Sequence, residues 1–108
     1  MKLSIPTGFV AATILALAFV SPAPAAFDAA HAKEIIKSQG CLGCHRIAGS
    51  GGTFGPALDG VGKRLSAKQI RTKLLDPKSS NPNSAMPSFG QLPAKDLAAV
   101  VEYLEQLK

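Results

Sequence analysis

Apolar residues in this chain fall into one unbroken run and three periodic stretches. The run covers residues 9–20, follows the basic Lys2, and gives way to Ser21, Pro22, Ala23, Pro24, Ala25 and Ala26. A short basic start, an apolar centre and a small-residue exit predict a secretory signal peptide cut near Ala25 or Ala26. The alternative is a retained membrane anchor, but the run is well short of the roughly 20 residues that span a bilayer. The expected organisation is a cleaved leader over residues 1–25 and a single domain over residues 26–108. No cysteine near the exit suggests lipid modification.

The remaining apolar positions recur at helical spacing. Ala32, Ile35, Ile36 and Gln39 predict a helix over residues 29–39 that stops at Gly40. Ile70 and Leu74, with Ala67 beside them, predict a second helix over residues 66–75, capped by Ser66 and ended by Pro77. Leu97, Val100, Val101, Leu104 and Leu107 form the clearest apolar face, over residues 93–107, with Pro93 at a start that tolerates its missing N–H. No alternating strand pattern or internal repeat competes. Three short helices bury little, and the loops between them are rich in Gly, Pro, Ser and Asn. A domain of this size gains much from a staple or a buried group, and the loops are expected to wrap one.

Cysteine usage narrows the choice of staple. The chain of 108 residues has two cysteines, Cys41 and Cys44, too close in sequence to bridge distant elements. They stand in Cys41-Leu42-Gly43-Cys44-His45, where two thiols can add across the vinyl groups of one haem and the adjacent histidine can ligate its iron. A bare CxxC also serves disulfide exchange or half of a zinc site. The first would want an alternating strand and helix pattern. The second needs more ligands than this chain offers, since His31 is its one other histidine.

With that motif, Gly55-Pro56-Ala57-Leu58, Met86-Pro87 and Val101-Glu102-Tyr103-Leu104, the chain from Ala29 to Lys108 resembles the small class I c-type cytochromes, monohaem and His/Met ligated. The resemblance implies an all-α fold in which the N- and C-terminal helices pack across one covalently bound haem c. It implies His45 and Met86 as the metal ligands and a Pro56 carbonyl that accepts the His45 ring proton. A core methionine and a rigid Gly55-Pro56 turn are the plainer readings of those two segments. His31 is expected to be an exposed helix residue. Leu58, Leu65, Ile70, Leu74 and Phe89 are candidates for an apolar haem wall, a role that overlaps with ordinary core packing. Tyr103 matches the aromatic with which the family packs its last helix on its first. Opposite it the family prefers a glycine and, four residues on, an aromatic; Ala32 and Ile36 stand there instead, which suggests a slightly wider crossing.

Other chemistry finds no support. Gly49-Ser50-Gly51-Gly52 lacks the lysine and preceding strand of a phosphate loop and reads as a flexible turn. The seven acids are scattered, no hydrolytic triad suggests itself, and no catalytic residue is expected. Formal charge is +5, and cleavage of the leader would remove one lysine and no acid. Lys63, Arg64, Lys68, Arg71, Lys73 and Lys78 concentrate that charge, whereas Asp96, Glu102 and Glu105 make the last helix acidic. The basic stretch reads either as a docking patch for an acidic redox partner or as a solvated helix face. Nucleic acid is not an expected partner, because export and the placement of the aromatics leave no stacking track.

The expected function is a periplasmic or otherwise exported, soluble, monomeric electron carrier working between redox proteins, with no stable membrane anchor and no catalytic activity of its own. A haem subunit of a larger oxidoreductase is the alternative, and a haem-based sensor or small-ligand module is a further one.

Overall fold

The structure is a computed structural model that describes residues 2–4, 8, 11–20 and 27–108. The expected cleavage point at Ala25 or Ala26 lies outside the described residues. Residues 11–20 carry no regular structure and are exposed, and among the described residues no helix is long and apolar enough to cross a membrane.

Asp28 starts the first helix, α1 (Ala29–Ser38), by accepting the His31 backbone N–H at 3.0 Å. Ala32, Ile35 and Ile36 are its buried stripe. Gln39, expected on that stripe, is an exposed cap, because Gly40 turns the chain into a left-handed conformation (φ 76°) and ends the helix there. Ser66 and Gln69 close a reciprocal capping box at the start of α3 (Ala67–Leu75), which buries Ile70 and Leu74. Pro93 lies just outside α4 (Ala94–Glu105) as its cap, and Leu97, Val100, Val101 and Leu104 are buried along one face.

Two sequence expectations need correction. A further helix, α2 (Val61–Arg64), lies between α1 and α3, and an antiparallel pair of two-residue strands, β1 (Arg46–Ile47) and β2 (Ser50–Gly51), follows the cysteine motif. Each is too short for a periodic signal. The Gly49-Ser50-Gly51-Gly52 segment is accordingly not a free turn. Ser50 and Gly51 pair with Ile47 and Arg46, and a Cβ on Gly51 or Gly52 would strike the carbonyl of His45 or Gly43.

The all-α expectation holds for the architecture, since the small hairpin is the sole sheet among the described residues. The main interhelix contact is α1 on α4, and α3 also packs on α4. Ala32 is fully buried, consistent with the need for a small side chain in the α1 stripe, and Tyr103 is part-buried against the core. His31 Nε2 and Asp96 Oδ1 lie 2.9 Å apart and link α1 to α4 at the surface. The helix α2 docks backbone to backbone on the end of α4: the Gly62 N–H donates to the Leu107 carbonyl at 2.8 Å. The terminal helices and α3 thus leave a space that the loops enclose.

Candidate functional site

That space is a cavity of about 620 Å³, within the roughly 300–1,000 Å³ typical of sites for small molecules and cofactors. Cys41, Cys44 and His45 line it from the segment after α1, and Pro56 and Leu58 from the loop before α2. Leu65, Ile70 and Leu74 line it from α3 and the residue that leads into it, and Met86 and Phe89 from the loop before α4. All ten residues singled out from sequence therefore meet at one cavity. Ile70, Leu74 and Phe89 are buried, Leu58, Leu65 and Met86 are part-buried, and Pro56 is exposed.

The cysteine motif is shaped by local geometry. Gly40 feeds a single 3-10 turn (Cys41–Gly43), after which His45 N–H donates to the Cys41 carbonyl at 2.9 Å. Cys41 and Cys44 are free thiols, the first part-buried and the second exposed. Burial pushes the Cys41 thiol above its ordinary value, and a backbone hydrogen bond opposes part of that rise.

The His45 ring is held closely. Its Nδ1 lies 2.7 Å from the Pro56 carbonyl oxygen, which can only accept, so Nδ1 carries the proton and Nε2 keeps a free lone pair. Gly55 makes room for the ring, since a Cβ there would sit 2.8 Å from His45 Cε1. The motif Gly55-Pro56 therefore has two tasks, a cradle and an acceptor, and the first was not legible from the sequence.

The segment that brings Met86 to the same cavity is fixed at both ends. Ser84 N–H donates to the Asn81 carbonyl and Met86 N–H to Ser84 Oγ, while Phe89 N–H and Ser88 Oγ donate to the Leu74 and Leu75 carbonyls at the end of α3. His31 is remote from this arrangement, exposed and engaged with Asp96. Sequence reading missed other residues of the lining, among them Val61, Phe54, Arg64 and Asn81. Val61 belongs to a helix too short to be read, and the others carry no periodic signal.

The donor set tests which group fits. Two thiols at one edge, an imidazole with a free Nε2, a thioether and a mostly apolar lining suit a flat, largely apolar iron macrocycle attached through thioether bonds. They do not suit zinc, for among the described residues no three His, Cys, Asp or Glu side chains gather as a ligand cluster.

Comparison with known proteins agrees. The cytochrome c family model matches residues 29–108. A cytochrome c oxidase subunit 2 from Alkalihalophilus pseudofirmus is 26% identical over 84 residues, which cover 70% of this chain and 25% of that relative. The chain thus spans about a quarter of the length of the curated relative it matches. Its Cys41-Leu42-Gly43-Cys44-His45 motif is that of one covalently bound haem c. With motif, helix packing and family match in agreement, the chain belongs to the cytochrome c family.

Proposed function

We propose that the chain is an exported monohaem carrier, with residues 1–25 removed as a leader and residues 26–108 working as one domain that passes single electrons between redox proteins. Bound in the cavity, the haem supplies a one-electron ferric/ferrous couple. In this reading Cys41 and Cys44 retain the group through thioether bonds, and once bonded they no longer titrate. His45 would offer Nε2 to the iron, with Pro56 holding its Nδ1 proton and so setting the ring's orientation and basicity. Met86 would offer its thioether from the loop before α4, a soft ligand that favours the reduced state. Leu58, Leu65, Ile70, Leu74 and Phe89 exclude water and keep the local dielectric low.

The observation that carries this reading is the convergence of His45, held by Pro56 at 2.7 Å, and Met86 on one apolar cavity. The test is the visible spectrum of the ferric protein. A low-spin spectrum with the weak long-wavelength sulfur-to-iron band is expected, and Met86→Ala should abolish that band. A high-spin spectrum, or a band untouched by the substitution, would remove Met86 from the site.

The exposed basic side chains around α2 and α3, together with part-buried Lys73, support docking of an acidic partner. Electron transfer to such a partner should slow as ionic strength rises; a rate indifferent to salt would leave these residues as a solvated face. The similarity to an oxidase subunit favours a second reading, in which this module serves a larger oxidoreductase. A stable complex through purification from the native source would select it over a free carrier.

A further inference from the structure

Asp59 has no task in the electron-transfer reading and Arg64 none beyond the basic surface, yet their bonds converge on the His45–Pro56 contact. Three links tie the chain after His45 to the chain after Pro56. His45 Nδ1 donates to the Pro56 carbonyl at 2.7 Å, Leu58 N–H to the Arg46 carbonyl at 2.9 Å, and Ala48 N–H to Asp59 Oδ1 at 2.8 Å. The last falls three residues beyond His45 on one side and three beyond Pro56 on the other. It also meets the chain where the backbone is least willing. Ala48 has φ 50°, the one positive value at a non-glycine among the described residues, in a two-residue hairpin turn with Gly49 at φ 81°. From behind, Arg64 spreads its guanidinium over two carbonyls, Nη1 to Asp59 and Nη2 to Ala57, each at 3.0 Å.

Pro56 lies at the surface, so water competes for the His45 Nδ1 proton. A carbonyl on an untethered loop would meet that competition poorly. We infer that Asp59 is a positioning residue for His45: by accepting the Ala48 N–H it locks the two chains together, so that the Pro56 carbonyl keeps the imidazole proton, with Arg64 bracing the same loop. The inference rests on the reading of His45 as an axial ligand, and it assigns Asp59 no contact with the haem.

The experiment is exchange of the His45 Nδ1 proton with solvent, followed by NMR in the reduced holoprotein for Asp59→Ala, Asp59→Asn and the parent. Loss of the acceptor in Asp59→Ala should speed exchange by about fivefold or more, the change that one lost hydrogen bond brings, while α1 and α4 amides keep their protection. Asp59→Asn retains an acceptor oxygen and should stay within about threefold of the parent. Ala48→Gly relaxes the turn, so the effect of Asp59→Ala should shrink in that background, which also supplies a folded host if the single variant is unstable. Unchanged exchange in Asp59→Ala would overturn the inference, as would a rise shared by the α4 amides or an Asp59→Asn rate equal to that of Asp59→Ala. The spectrum of the same parent sample separates the two levels. If it lacks His/Met low-spin character, the axial reading itself fails, whereas an intact spectrum with unchanged exchange removes Asp59 alone.

Discussion

A side chain with one rotatable ring becomes a defined ligand only when its neighbours leave it one orientation and one tautomer. At His45 two adjacent residues do this by opposite means: Pro56 presents an acceptor, and Gly55 contributes the lack of a side chain. Gly55→Ala should therefore push a methyl into the ring's place. The expected cost is about 1–3 kcal/mol, the usual range for overpacking, read as a lower guanidinium midpoint of the holoprotein with an unchanged slope. An unaltered midpoint would mean that the ring has more room than the 2.8 Å approach indicates.

The elements are joined less by salt links than by shape. His31–Asp96 is the single ion-pair contact among the described residues, and with both partners partly exposed it adds little to the union of α1 and α4. The buried stripes of Ala32, Ile35 and Ile36 and of Leu97, Val100, Val101 and Leu104 carry that union. Gly62 carries another. A Cβ there would fall 1.9 Å from the Glu105 carbonyl oxygen, so α2 can rest on the end of α4 only with glycine at this point. Gly62→Ala should cost about 3 kcal/mol or more by separating two backbones, and thermal unfolding would show it. A variant as stable as the parent would show that α2 moves away at no cost. Because α2 also bears Arg64, the contact places the bracing of the Pro56 loop at the far end of the terminal helix.

For the molecule as a whole, the cavity decides the balance. Its lining is mostly apolar, and without a group to cover it those side chains would face water, a loss that weighs heavily against a total stability of roughly 5–15 kcal/mol for a domain. Collapse of the loops can recover part of this only by giving up the cavity's shape. Replacing Cys41 and Cys44 with alanine should accordingly abolish the cooperative fold when no haem is supplied. Far-UV circular dichroism that kept a native helical signal and a sharp melt would contradict this. The haem is then part of the core as much as a reagent held by it, which explains how so few helices suffice.

Several features followed from the chain alone. Regular spacing marked the stripes of α1, α3 and α4, and covalent chemistry restricted the meaning of Cys41-Leu42-Gly43-Cys44-His45, because few groups need two thiols and an imidazole so close together. Resemblance carried Pro56 and Met86 as expectations. Tertiary structure alone decided what depends on contacts between distant segments. It set Gly55 against the His45 ring, Gly62 against the end of α4, and Asp59 against the turn at Ala48. Periodicity reports the faces of one element. It carries no record of a side chain's absence where two backbones meet, or of a carboxylate reaching across to another loop.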